Sequence, residues 1–428
     1  MSKTEPDDLY PRHLTDELEE AVATSRVVNL IGPRQVGKTT LARDLFANAA
    51  YLTLDDAATL DAIEADPDGQ LTAVRRQAGD RPVAIDEVQR SKRVALAIKA
   101  IVDRDRRKGQ FILTGSSNVF ATADVADSLA GRMRTLKLWP LTQAEAQRRD
   151  PPRLLDWALG DAPLLDSLPP SPRLERADYI DLILAGGFPD AFRLDLRPRQ
   201  RLYRDYVDAV VDRDVADVLR IRKTDRLRRL IEQTAVRTAG EVNVSALSRL
   251  IGLTRVTIDQ YMDVLLRLSL VVRLGAWSSG ESRREIKNAK WHFVDTGVAA
   301  ALRRLNATSF QPNADPTALG GLAETFALNE LLRAAPTLAN DVKLFHWRDH
   351  DQREIDILAD AGSRLVGIEV KASTRVGLAD FSSLDWFARE GPGRRRRMTK
   401  IVLSFGERNY SFGEGRFGLP LSALWADH

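Results

Sequence analysis

Three sets of residues in this sequence have the types and spacing to do chemistry. The first is Gly32-Pro33-Arg34-Gln35-Val36-Gly37-Lys38-Thr39-Thr40, a full match to the phosphate-loop pattern G-x-x-x-x-G-K-[ST]. Backbone N–H groups of such a loop, with the positive end of the helix that follows, cradle a polyphosphate. Lys38 is placed to reach β/γ-phosphates and Thr39 to ligate Mg²⁺, so ATP with Mg²⁺ is the expected cofactor. The second set is Asp86-Glu87, closing the apolar run Val83-Ala84-Ile85. This is the Walker B pattern: Asp86 is expected to hold Mg²⁺, directly or through water, and Glu87 to polarise the attacking water. The third is Asp356 on one alternating segment with Glu369 and Lys371 on the next. Side chains alternate faces along a strand, so Glu369 and Lys371 share a face, and a hairpin can bring Asp356 alongside Glu369. Two carboxylates converging beside an amine make a hard-oxygen site for Mg²⁺ or Mn²⁺. The metal would acidify its bound water, with Lys371 orienting the nucleophile.

These groups need particular elements to hold them. Arg26 to Ile31 reads as a buried strand feeding the glycine loop, and Leu41 to Phe46 has helical apolar spacing. Residues 9–25 read as an amphipathic helix through Leu14, Leu18 and Val22, and Tyr51 to Asp55 as a short strand ending in acids. Gln110 to Asn118 repeats the plan of an apolar strand followed by small polar residues, so Thr114, Ser116 or Asn118 is a candidate γ-phosphate sensor. The prolines between 150 and 173 mark a loop or linker. Residues 176–240 read as helical with one break at Gly186-Gly187-Phe188-Pro189, and the alternating Arg and Asp of Arg201–Arg229 read as a solvated face with intrahelical pairs.

From Val244 to Val294 the pattern is a short helix with a Ser245 start, a Gly252 turn, a helix from Arg255 to Leu268 with Val256, Leu265 and Leu266 apolar, and two strands at 270–274 and 290–294. That is a helix-turn-helix with a wing hairpin. Arg255, Thr257 and Gln260 could face DNA bases, while Asp259 and Asp263 on the same helix would repel phosphates, so DNA contact and plain packing both remain open. Arg394 to Arg397 could track a phosphate backbone or form a solvated loop.

The three strands at 26–31, 82–86 and 110–114 resemble those of AAA-type ATPases, in which the sensor strand lies between the two Walker strands. That resemblance implies a trans arginine finger in a homo-oligomer, with Arg132 the first choice and Arg134 the second. The rear set resembles the PD-(D/E)XK nucleases, whose three positions fall on Asp356, Glu369 and Lys371, and Glu324 matches the helix acid of the junction-resolvase branch. Ile355 stands where that family often carries Pro. As a whole the chain resembles a prokaryotic family joining an AAA-type ATPase to a C-terminal domain of unknown function. The shared marks are Gly186 to Pro189, Phe293 to Gly297, His346-Trp347-Arg348 and Ile368 to Lys371.

The expected architecture is α/β: an AAA-type P-loop core with a three-layer fold at 1–150, a linker and helical lid at 151–240, a winged helix at 241–300, and a restriction-endonuclease-like domain at 301–428. The resemblance implies an ATP-regulated nuclease-like protein with DNA as partner, or an ATP-switched binding regulator of DNA or protein whose nuclease fold is inactive. Composition sets the outer bounds. At 428 residues, 44% hydrophobic and 29% charged, the chain suits two to three globular domains. Zero Cys excludes disulfides and thiolate metal sites. The sequence has no apolar run long enough for a membrane span, and its polar, acidic start carries no signal core, so a cytoplasmic location is expected. Net charge is only +3, which permits local basic patches without demanding them.

Overall fold

The computed structural model describes residues 9–45, 50–115, 129, 131–215, 224–279, 288–311 and 316–426. The chain divides into two compact units, one of Arg12–Trp139 with Arg267–Ser269, the other of Met1–Pro11, Pro140–Leu266 and Leu270–His428.

The unit of Arg12–Trp139 is built on a parallel sheet of β1 (Val27–Ile31), β2 (Ala50–Thr53), β3 (Val83–Asp86), β4 (Phe111–Thr114) and β5 (Met133–Lys137), in the order β2-β3-β4-β1-β5. β3 and β4 are buried throughout, which explains their continuous apolar runs: a parallel sheet is covered on both faces. Along these strands Val83, Ile85, Phe111 and Leu113 point into one core with Leu71, Ile98 and Ile101. Ala84 and Ile112 point to the other face and meet Ala42 of the helix Lys38–Leu45. This is a three-layer arrangement. The helix Lys92–Arg104 shows how sequence places a layer: Ser91 caps it by accepting from the Val94 N–H, and Val94, Ala95, Ile98, Ile101 and Val102 fall on its buried stripe. β4, carrying the candidate sensor, lies between β1 and β3, the order the AAA resemblance implies.

At the end of β5 sits a Lys that pairs with no acid among the described residues. Lys137 Nζ stands 3.8 Å from the Trp139 ring centroid, and burial pulls its pKa down to about 8. A Lys lowered in the folded state is a stability cost, fully present below about 8 and absent above its ordinary value of 10.5, so this contribution improves as pH rises through that window. Lys137→Met is therefore expected to stabilise the unit near pH 7 by about 1–2 kcal/mol, the ring's attraction for the ammonium offsetting part of the desolvation. Denaturant melts at pH 7 and pH 10 check it: the gain should shrink at the higher pH.

In the other unit, helices Arg176–Ala185, Leu196–Ala209 and Thr224–Val236 precede a small antiparallel sheet. Its strands are β6 (Gly240–Glu241), β7 (Val271–Leu274) and β8 (Lys290–Phe293), in the order β6-β8-β7. Among the described residues of Arg201–Arg229, two ion pairs join helices: Arg228 reaches Asp208 and Asp212 at 3.0 and 2.7 Å. Between β6 and β7 run helices Val244–Ile251 and Arg255–Arg267. The first is capped by Asn243, whose side chain accepts from Ala246 N at 2.9 Å, and not by Ser245. It stops at Gly252 in a left-handed conformation, φ 72°. The apolar face of the second is Ile258, Tyr261, Met262, Val264 and Leu265, while Val256, expected to be part of it, is exposed.

The remaining sheet is mixed. β9 (Lys343–Arg348), β10 (Glu354–Asp360), β11 (Arg364–Lys371), β12 (Arg397–Ser404), β13 (Tyr410–Ser411) and β14 (Arg416–Pro420) lie in the order β13-β14-β12-β11-β10-β9. β10 and β11 form the expected antiparallel pair, with Ile357 opposite Ile368. A core of Trp347, Ile355, Leu358, Leu365, Leu384 and Phe387 also takes in Trp277 from the segment after β7. The indole of Trp277 packs edge-on against Phe387 and donates to Asp360 Oδ2 at 2.8 Å.

Candidate functional site

The front site begins where β1 ends. Gly32 has φ 147°, and a Cβ there would collide with the Leu138 carbonyl, so only glycine lets the chain turn at this point. Gly37 has φ 94° and the loop closes into the helix Lys38–Leu45. The buried Lys38 ammonium folds back over the loop, donating to Gly32 O at 2.9 Å and Pro33 O at 2.6 Å. Asp86 is the meeting point of three strand ends. Its Oδ2 accepts from the Thr39 hydroxyl and the Tyr51 phenol, each at 2.9 Å; its Oδ1 accepts from the Thr114 hydroxyl and from Glu87 N at 3.1 Å. Thr114 is thus the sensor candidate brought to the site, while Ser116 and Asn118 lie outside the described residues.

Glu87 sits at φ 56°, a left-handed backbone that a non-glycine residue adopts at some cost, as functional residues often do. Burial, then Asp86, pushes its carboxyl above the ordinary value; Arg34 and Lys38 pull the other way. Gln89 donates to it. Two neighbours escaped the sequence reading. Tyr51 projects from β2 onto Asp86, and burial, then that carboxylate, drives its phenol above its ordinary range. Arg12 ties the loop to the end of β5, donating to Val36 O and Trp139 O at 2.6 Å each. Of the candidate fingers, Arg132 pairs with Asp103, and Arg134 with Glu17 and Glu20 at 3.0 and 2.9 Å. A hydroxyl and a carboxylate already in contact at Thr39 and Asp86 are the hard donors a nucleotide-bound Mg²⁺ takes, so the residues fit Mg²⁺-ATP.

The rear site lies on β10 and β11. One step beyond the Ile357–Ile368 pair, Asp356 comes to Glu369, and Asp356 Oδ2 accepts from Val370 N at 2.9 Å. Glu369, 6% exposed, accepts from Lys371 Nζ at 3.0 Å on Oε2, and its Oε1 is buried without a partner. Burial, then Asp356, pushes this carboxyl up to about 8, against the pull of Lys371. Asp356, Glu369 and Lys371 therefore converge.

A residue absent from the sequence reading also stands there. Lys290, 3% exposed at the start of β8, directs its ammonium to Glu354 Oε1 at 2.5 Å, Glu324 Oε1 at 2.7 Å and Asp356 Oδ1 at 3.4 Å. Burial works against its charge, but the acids outweigh burial and hold the ammonium above its ordinary value. Glu354 is held below its ordinary value by Lys290 despite burial, whereas burial and Asp356 push Glu324 well up. Lys290 thus favours the charged form of Glu354, while burial and Asp356 disfavour that of Glu324. Beside them His292 is fully buried, its Nδ1 at 3.1 Å from Thr325 Oγ1; burial and then Lys290 keep the ring neutral. Of the four oxygens on Asp356 and Glu369, only Glu369 Oε1 has no protein partner. Among the described residues no group of three or more His, Cys, Asp or Glu side chains is disposed to hold a metal ion.

The parallel sheet order, the glycine loop and the Thr39–Asp86–Thr114 link define a P-loop ATPase domain, and residues 24–147 match the family model described as AAA domain. Residues 176–309 match "Domain of unknown function (DUF8612)" and residues 319–424 "Domain of unknown function (DUF4143)". The chain is 27% identical over 369 residues to Uncharacterized protein Rv2008c of Mycobacterium tuberculosis, covering 85% of this chain and 74% of that one. The same figures hold for Uncharacterized protein Mb2031c of Mycobacterium bovis. Among solved structures it is similar to the Walker-type ATPase PABY2304 of Pyrococcus abyssi, at 14% identity and TM-score 0.45, covering 71% of this chain and 98% of that one. No helix among the described residues is long and apolar enough to cross a membrane.

Proposed function

We propose that the chain binds and hydrolyses ATP at the Gly32–Thr40 loop and uses the nucleotide state to govern a nucleic-acid-acting site at Asp356, Glu369 and Lys371, as a DNA repair or defence factor would. The observation that carries the ATPase half is the Asp86 carboxylate, joined at once to Thr39 of the loop and Thr114 of the intervening strand. A group sensing the γ-phosphate there is one hydrogen bond from the metal-holding acid. Mg²⁺, held by Thr39 and Asp86, would neutralise charge on the β- and γ-phosphates. Lys38 leaves the carbonyls of Gly32 and Pro33 for the phosphates, and Glu87 orients the attacking water. In a homo-oligomer Arg132 would exchange Asp103 for a neighbour's nucleotide.

The nuclease-like half is supported by Asp356 and Glu369 meeting on adjacent strands with Lys371 bonded to Glu369. Mg²⁺ or Mn²⁺ at those acids would supply an acidified water. A winged helix at 241–300 is supported by the order helix, β6, two helices, β7, β8. Arg255 and Gln260 are exposed on its second helix, but so are Asp259 and Asp263.

The second reading, an ATP-switched binding regulator with an inactive nuclease fold, is favoured by one observation: the ammonium of Lys290 already stands among Glu324, Glu354 and Asp356. Supercoiled plasmid and branched DNA incubated with the full chain, ATP, and Mg²⁺ or Mn²⁺ separate the two. Nicking lost in both Glu369→Ala and Lys371→Ala is the expected result. Intact DNA in every arm, with ATP still consumed, would leave the second reading standing.

A further inference from the structure

The structure assigns Lys290 the role of a resident cation: its side chain occupies the positive-charge position of the Glu324, Glu354 and Asp356 cluster and keeps a divalent metal out of it. The inference rests on the reading of Asp356 and Glu369 as a cation-binding pair, and it states what occupies that pair's neighbourhood.

Three observations carry it. The ammonium lies within 3.4 Å of oxygens from the helix Pro316–Ala334, through Glu324, and from β10, through Glu354 and Asp356. It is supplied by β8, which belongs to a different sheet from β10 and β11. One oxygen nearby, Glu369 Oε1, is buried and unpartnered, although a buried carboxylate oxygen ordinarily finds a donor. Asp356 thus divides its oxygens between Val370 N and Lys290, and Glu369 keeps one oxygen uncommitted beside it.

A divalent ion bridging Asp356 and Glu369 would need the Asp356 oxygen that Lys290 now faces. Two cations cannot share one buried carboxylate at such range without strong repulsion. Metal entry therefore requires the Lys290 ammonium to withdraw from Asp356 Oδ1. On a pleated strand it shares its face with His292, whose buried Nε2 lacks a hydrogen-bond partner.

Mn²⁺ binding to the nucleotide-free full chain tests this, with bound ions counted by electron paramagnetic resonance. Wild type is expected to show no Glu369-dependent ion at micromolar Mn²⁺. Lys290→Met is expected to gain one, with affinity raised ~10-fold or more, and Lys290→Met/Glu369→Gln to lose it again. Lys290→Arg, which keeps the charge, should behave as wild type. An ion bound by wild type and lost in Glu369→Gln would overturn the inference, as would a folded Lys290→Met protein that binds no more Mn²⁺ than wild type. If Lys290→Met melts out, Lys290→Gln serves in its place, and failure of Mn²⁺ to raise the melting temperature of either variant counts against the inference. DNA cutting is read separately: a variant that gains Mn²⁺ but leaves DNA intact sinks the nuclease reading and leaves this one in place.

Discussion

Lys38→Ala is expected to lower ATP turnover by about 10²–10³-fold and to weaken ATP binding, with the fold intact. The ammonium folds back over the loop, where it donates to Gly32 O and Pro33 O. Those carbonyls hold it in the place phosphate oxygens would take, so the group is in position before nucleotide arrives and little reorganisation remains at binding. Its loss removes the charge-assisted hydrogen bonds to the Gly32 and Pro33 carbonyls, which are backbone acceptors with no charge of their own. The stability cost should stay near 1–2 kcal/mol. Steady-state ATPase rates with ATP titrated by fluorescence, alongside thermal melts, read the three quantities. Turnover within a few-fold of wild type would mean that the loop is not the catalytic site.

The largest expected loss of stability comes from Asp295→Ala, about 3–5 kcal/mol, because the change removes the nearer of two carboxylates from a buried guanidinium and leaves two buried backbone N–H groups without their acceptor. Asp295 Oδ2 accepts from Gly187 N at 2.7 Å, and Oδ1 accepts from Val298 N at 3.2 Å, capping the helix Thr296–Leu302. Arg333 Nη2 lies 3.6 Å from Oδ2; the guanidinium also donates to the carbonyls of Leu141 and Val294 and has Glu330 Oε1 at 3.8 Å from its Nη1. The tight Gly186-Gly187 turn exists for this carboxylate: a Cβ on Gly186 would meet Asp295 Oδ1, and one on Gly187 would meet Leu141 O. Asp295→Asn keeps a single acceptor oxygen, so it can retain one of the two backbone bonds while losing the charge and the other bond, giving an intermediate loss. Urea unfolding of the three proteins gives the ranking, and equal midpoints for Ala and wild type would refute it.

What could be read from sequence was local. Gly32, Gly37, Lys38 and Thr39 lie within one turn of chain, and their spacing alone dictates a loop that only glycine can close. Asp86 and Thr114 were legible as strand ends, because buried parallel strands announce themselves as unbroken apolar runs with polar residues at one end. The hairpin that joins Asp356 to Glu369 was legible from alternation around the Gly362 turn. What was missed depends on residues distant in the chain. Lys290 finds Glu324 and Asp356 at sequence separations of 34 and 66, and nothing in Lys290-Trp291-His292-Phe293 distinguishes it from a surface lysine. Arg12 reaches Trp139 across 127 residues. Val256 is apolar like Leu265 yet exposed, because a helix's buried stripe is set by whatever packs on it.

The sequence suggested a cut at residue 300, with the rear region as a self-contained piece. The side chains of Trp277 and Lys290 lie upstream of that cut and are built into the rear sheet's core and its acids. A fragment started at 301 would leave a hole the size of an indole and a cluster of acids with no ammonium among them. The tail is therefore completed by chain that precedes it, and severing the two should cost the tail its packing as well as its charge balance.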